Sequence, residues 1–318
     1  MKFGFSVPTS GPLANPESIA ALARKGEELG FGFVSVSDHV VIPRDINSRY
    51  PYSETGEFGG GADGECLEQL TTLAYLAAST ETVGLLTSVM VLPHRPPVLT
   101  AKILASIDVL SRGRLILGCG VGWMREEFEA LGAPPFDERG AVGDDYIRVF
   151  KELWTSDDPS FESSYASFSN VSFAPKPVQK PHPPIWIGGE SPPALRRAAL
   201  LGDAWYPIGT NPRFTVGTLE QYASYADRVR AYAREAGRDP SELGFAYSVG
   251  WYDDREAQTG ADGQRRRFTG APRQIAGDIK AFEELGVSHL MLGFGAATLE
   301  GTMDRMERFA TDVKPLAA

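Results

Sequence analysis

Gly84-Leu85-Leu86-Thr87-Ser88-Val89-Met90-Val91, then residues 97–110, then Leu115-Ile116-Leu117-Gly118-Cys119-Gly120-Val121-Gly122-Trp123, form the stretch whose reading decides the fold. The first run is an apolar strand. Residues 97–110, opened by Pro97, read as a helix, and the last run is a second apolar strand that dissolves into glycines. Two parallel strands need a crossover connection of this kind, and in parallel sheets ligands sit beyond the carboxyl ends of the strands. The glycines therefore mark a candidate site.

Working outward, the same alternation repeats. Strands are predicted over 3–8, 33–37, 185–187, 203–207, 243–249 and 289–293, and helices over 16–29, 140–154, 193–201, 221–236, 272–285 and 301–309. Pro175, Pro177, Pro181, Pro183 and Pro184 exclude both helix and central strand, so this run is an extended connector. No hairpin signal follows any strand. The pattern predicts one (β/α)8 TIM-barrel domain over 1–318, with insertions after strands 2, 4 and 7. The competing doubly wound sheet loses because Gly118-Cys119-Gly120-Val121-Gly122 is G-x-G-x-G, lacks the G-x-G-x-x-G spacing and follows the fourth strand rather than the first.

Composition excludes several classes of function. A net charge of -10 disfavours nucleic acid and anionic membrane as partners. No apolar run approaches the roughly 20 residues of a membrane span, and the N-terminus reads as a strand rather than a signal peptide, which predicts a cytoplasmic protein. Cys66 and Cys119 fit no metal-ligand or disulfide pattern.

A barrel gathers the ends of its strands at one mouth, here Asp38, His39, Ser88, Val89, Gly120, Val121, Gly122, Trp123, Gly188, Gly189 and Tyr206. Taken singly, each glycine pair is a tight turn. Several at one rim favour a bound phosphorylated cofactor, with Gly189-Glu190-Ser191 offering N–H groups at a helix start. His39, at a strand end beside an acid, is either a structural hydrogen-bonding residue or an acid/base group. His94 is placed to contact ligand, whereas His182 and His289 read as structural. Glu126 and Glu127 read as first-turn acids placed by the helix dipole. The loop after His39, with Tyr50, Tyr52, Phe58 and glycines 56, 59, 60, 61 and 64, reads as a lid. Arg265-Arg266-Arg267 reads as a solvated triplet, with recognition of an anionic group as the alternative.

Ser37-Asp38-His39-Val40-Val41-Ile42-Pro43, Thr87-Ser88-Val89-Met90-Val91-Leu92-Pro93, Leu110-Ser111-Arg112-Gly113-Arg114-Leu115 with Gly120-Val121-Gly122-Trp123, and Pro183-Pro184-Ile185-Trp186-Ile187-Gly188-Gly189 resemble the luciferase-like monooxygenase superfamily, and within it the oxidoreductases that use coenzyme F420. The resemblance implies a homodimeric barrel holding a deazaflavin ring and transferring a hydride between the reduced coenzyme and a small organic substrate, with an FMN-dependent monooxygenase using O2 and a partner reductase, or a non-catalytic flavin-binding protein, as the alternatives. It implies a non-proline cis peptide at Ser88-Val89, a cofactor contact at Asp38 and catalysis by His39. Val121 and Gly122, with Trp123, would line the ring, and Gly188, Gly189, Ser191 and Pro192 would cradle the phosphate region. The family's sugar-phosphate dehydrogenases carry a glutamate where this chain has Trp123, which implies a flatter, more apolar substrate. Tyr50, Tyr52 and Trp251 are then candidate substrate contacts.

Overall fold

The computed structural model describes residues 1–59, 64–260 and 263–317. Eight parallel strands, β1 (Lys2–Ser6), β2 (Phe33–Val36), β3 (Gly84–Thr87), β4 (Leu115–Gly120), β5 (Ile185–Gly188), β6 (Ala204–Tyr206), β7 (Gly244–Val249) and β8 (Val287–Leu292), run in the order 3-2-1-8-7-6-5-4. Pairing of Leu85 with Leu115 and of Leu86 with Ile116 joins β3 to β4 and closes the barrel. Helices on the outside follow the strands, among them α1 (Pro16–Glu28), α2 (Gln69–Ser79), α3 (Pro97–Leu110), α4 (Arg125–Leu131), α5 (Arg139–Thr155), α6 (Pro192–Leu201), α7 (Leu219–Glu235), α8 (Pro272–Glu284) and α9 (Leu299–Arg308). None of the described helices is long and apolar enough to cross a membrane.

Alternation along each strand splits the core in two. Outward side chains such as Phe5, Val34, Leu85 and Leu117 pack against the helices, while Phe33, Leu86, Trp186, Tyr206 and Met291 fill the lumen. The barrel is therefore plugged below its mouth, and any ligand sits above this layer.

The third strand explains the glycines of the fourth. β3 stops at Thr87 and the sheet resumes at Met90–Val91, with a cis peptide between Ser88 and Val89. This bulge crowds its neighbours. A Cβ on Gly118 would lie 2.0 Å from the Thr87 carbonyl oxygen, and one on Gly120 would lie 2.6 Å from Val89 Cγ2. Gly188 of β5 faces Val89 from the other side, at 3.0 Å. Here Gly120 and Gly188 make room for a side chain and Gly118 for a backbone carbonyl, rather than for a turn.

Two elements depart from the sequence reading. Helix α2, capped by Glu68 through the Thr71 N–H, fills the stretch before β3 for which no helix was delimited. A two-stranded hairpin, Phe161–Glu162 with Ser167–Phe168, occupies a segment expected to be irregular. Its strands have only two residues each, too short for a readable alternation. The proline connector forms neither helix nor strand, as expected, and is a bent, irregular segment rather than a straight extended one, with cis bonds at Ala174-Pro175 and Lys180-Pro181.

Candidate active site

A cavity of about 670 Å3 opens at the carboxyl ends of the strands. Asp38, His39, Ser88, Val89, Val121, Gly122, Trp123, Gly188, Gly189, Ser191 and Tyr206 all border it, so the barrel unites residues far apart in sequence. Pro192 does not. Ser191 caps α6 and Pro192 and Pro193 begin it, and it is Pro193, the next position round the helix, that reaches the cavity. Both prolines lack an N–H, so this helix start offers fewer anion donors than the sequence suggested.

His39 follows β2 on a buried strand end. Its Nδ1 lies 2.9 Å from Glu127 Oε2, and Glu127 Oε1 accepts from the Val40 and Val41 N–H groups at 2.8 and 3.3 Å. An ionised carboxylate only accepts, so Nδ1 carries the hydrogen and Nε2 is the exchangeable position of the ring. Burial pushes the Glu127 carboxyl up, but the His39 hydrogen bond and charge outweigh it and hold the group below its ordinary range. Glu126 and Glu127 do stand in the first turn of α4, and both have further roles the sequence reading did not give them. Glu126 accepts from the Asn47 and Ser48 N–H groups, and the two glutamates together pin the start of the loop after β2.

The carboxylate of Asp38 is committed within the protein. It accepts from Arg95 Nη1 and Nη2 at 2.9 and 2.7 Å and from the Val91 N–H at 2.8 Å, tying the bulge of β3 to the end of β2. Arg95 also reaches Glu68. His94 borders the cavity, packs edge-on against Phe128, and lies with Nδ1 4.0 Å from Glu127 Oε1. Burial lowers its pKa, and neither ring nitrogen has a hydrogen-bond partner among the described residues.

An aromatic cluster covers His39. Trp123 lies 5.1 Å from Tyr50 and 5.2 Å from Phe58, and Phe58 lies 5.0 Å from the His39 ring. The lid expectation matches this arrangement for the described part of the loop, and its Gly60 and Gly61 lie outside the described residues.

Arg139 and Glu190 were missed. The Arg139 guanidinium borders the cavity, stacks 4.0 Å over Phe136, and donates to the Phe136 and Gly122 carbonyls rather than to a carboxylate. Glu190, 1% exposed, accepts from the Ile208 N–H and from Asn211 Nδ2, and burial raises its pKa to about 7. Arg139 stands in no motif, the run Gly189-Glu190-Ser191 was read only for its N–H groups, and only the three-dimensional placement reveals either side chain.

Other expectations are relocated. Arg265 and Arg267 bind Asp278 of α8, and Arg266 stacks 3.8 Å over Trp251, so the triplet is neither freely solvated nor in the cavity. Trp251 does not border the cavity. His182 bonds the Pro183 carbonyl, and His289 lies within β8 against Trp186, where burial drops its pKa to about 4. No cluster of metal-binding side chains occurs among the described residues.

A closed (β/α)8 barrel with a histidine–carboxylate pair at its mouth belongs to the TIM-barrel enzyme class. More narrowly, the chain belongs to the luciferase-like monooxygenase family, whose family model matches residues 1–261. It is 30% identical over 284 residues to the FMNH(2)-dependent dimethylsulfone monooxygenase of Pseudomonas putida, covering 74% of this chain and 76% of that one. Among solved structures it resembles monooxygenase RslO1 from Streptomyces bottropensis, with a TM-score of 0.77, 26% identity and 100% of both chains covered. An F420-dependent secondary alcohol dehydrogenase shares the fold with a TM-score of 0.77 at 18% identity, covering 100% of this chain and 99% of that one.

Proposed function

We propose that the protein is a coenzyme F420-dependent oxidoreductase that transfers a hydride between the reduced deazaflavin and a small organic substrate, with His39 handling the accompanying proton. The observation that carries this reading is the His39–Glu127 pair at the cavity, because a hydride transfer to or from oxygen-bearing carbon needs a positioned proton donor or acceptor.

The cavity fits such a cofactor. Its volume of about 670 Å3 is ample for a tricyclic ring and side chain. Val89, seated between Gly120 and Gly188, provides an apolar support, and Arg139 brings a positive charge that forms no salt bridge among the described residues. When bound, the coenzyme supplies two-electron hydride chemistry. The chain's own residues do the rest. Glu127 fixes the His39 tautomer and stabilises the imidazolium form, the Asp38–Arg95 pair holds the bulge in place, and Trp123, Tyr50 and Phe58 shield His39 from water.

A second reading, reduced FMN with O2 as co-substrate, is favoured by the 30% identity to the dimethylsulfone monooxygenase. Anaerobic oxidation of reduced F420 separates the two. Substrate-dependent turnover without oxygen is expected for the first reading. Turnover only with reduced FMN and with oxygen uptake overturns it.

A further inference from the structure

Of the described residues that plug the lumen, only Val89 and Tyr206 reach the main cavity. They stand side by side. Gly188, whose missing side chain leaves room for Val89, is paired in register with Tyr206. Ser88, joined to Val89 through the cis peptide, has its Oγ 3.0 Å from Tyr206 Oη. The floor of the cavity is thus an apolar support with a phenol at its edge. His39 enters from another side, after β2, which stands four strands from β6 in the closed ring of eight.

Counting hydrogens shows what the phenol has to offer. Burial holds the Tyr206 phenol above its ordinary range, and hydrogen bonds with the Ser88 and Ser248 hydroxyls offset only part of that, so the phenol stays protonated at neutral pH. Ser88 and Ser248 both border the main cavity as well. Three hydroxyls carry three hydrogens, and the two links among them use two. None of the three side chains has a further hydrogen-bond partner among the described residues, so one hydrogen remains for the cavity. The phenol oxygen can accept from both serines, and the phenol is the most acidic of the three groups, so this hydrogen is worth most to an acceptor when Tyr206 donates it. Accepting from two hydroxyls strengthens that donation further.

We propose that Tyr206 is a binding residue for the cofactor ring. A ring resting on Val89 turns its pyrimidine edge, which carries its hydrogen-bond acceptors, to the Tyr206 hydroxyl, and that hydroxyl holds the reduced ring more tightly than the oxidised one. This role for Tyr206 rests on the cofactor reading of the cavity. Two-electron reduction raises the electron density of the pyrimidine edge, and a hydrogen bond to a charged acceptor is stronger than one to a neutral acceptor. The substrate has to reach His39, four strands away under Trp123, Tyr50 and Phe58, so the phenol beside Val89 serves the ring. Tyr206 thereby raises the potential of the bound cofactor.

The test is anaerobic equilibrium dialysis of the full chain against oxidised and reduced F420 and, separately, against oxidised and reduced FMN. Tyr206→Phe keeps an aromatic ring in the lumen plug and removes only the hydroxyl. It should weaken binding of the reduced form about tenfold more than that of the oxidised form, equivalent to a drop of about 30 mV in the two-electron potential of the bound cofactor. A merely structural role would weaken both forms alike. That result overturns the inference, as do unchanged binding of both forms and a loss greater for the oxidised form, and all three leave the cofactor reading standing. Should Tyr206→Phe melt early, Ser248→Ala, which removes one of the hydroxyls that polarise the phenol, carries the same test. Its expected loss is about two- to threefold and again confined to the reduced form, and an unselective or absent loss overturns the inference. Failure of the wild-type protein to bind either cofactor in either form brings down the cofactor reading, and the role of Tyr206 with it.

Discussion

Glu127→Gln isolates the charge that supports His39. The wild-type carboxylate is 1% exposed, 2.9 Å from His39 Nδ1 and 2.8 Å from the Val40 N–H, so an amide of nearly the same shape keeps the packing and loses the ion. A charge-assisted hydrogen bond exceeds a neutral one by about 1–2 kcal/mol. Once His39 is protonated in the transition state, two unit charges roughly 4 Å apart at an effective dielectric near 20 add up to about 4 kcal/mol. Turnover should therefore fall between roughly 10-fold and 10³-fold. The assay is single-turnover reduction of oxidised F420 by the hydride-donating form of the substrate, the direction in which His39 takes up the proton, followed by absorbance and paired with a cofactor titration. Cofactor affinity should hold, because Glu127 supports His39 rather than the ring. Wild-type turnover in a correctly folded variant would refute the pairing, and so would a loss explained entirely by weaker cofactor binding.

His39→Ala should lower turnover by about 10²-fold or more with cofactor affinity retained, and unchanged turnover would remove His39 from the chemistry. Asp38→Asn removes the bidentate partner of Arg95 while Glu68 remains as its ionic partner and should destabilise the protein by about 1–3 kcal/mol, read as a drop in the urea midpoint. Gly120→Ala places a methyl 2.6 Å from Val89 Cγ2. It should cost about 1–3 kcal/mol of stability and weaken cofactor binding, whereas a silent substitution would separate the bulge from the cofactor floor. Glu190 ionises at about 7 in the folded chain against 4.5 unfolded. Its contribution is whole below pH 4.5 and is lost as pH rises towards 7, with a penalty on the order of 3 kcal/mol. In Glu190→Gln that slope should vanish from the pH dependence of denaturant unfolding, whatever offset the Asn211 amide adds.

The barrel was legible because parallel strands buried on both faces read as apolar runs, and α3 and β4 were bounded by Pro97 and the glycines. The bulge at Ser88-Val89 was reached through the family resemblance, and the structure supplies its local logic in the room left by Gly118, Gly120 and Gly188. What stayed hidden depends on contacts across long separations. Glu127 lies 88 residues from His39, and nothing local distinguishes it from Glu126 or from any first-turn acid. Arg139 reads as a helix start and Glu190 as a turn residue until the fold turns both towards one cavity. The arginine triplet shows the reverse case. A conspicuous local pattern proves to be a buttress, with the single carboxylate of Asp278 shared by Arg265 and Arg267 and Arg266 stacked over Trp251.

The most direct test of the central claim is a fluorescence titration of cofactor-free protein with coenzyme F420 and, separately, with FMN. Tight binding of F420 with weak binding of FMN is the expected result. Preference for FMN would assign the cavity to oxygen-using chemistry, and binding of neither would contradict a cofactor site at the mouth of this barrel.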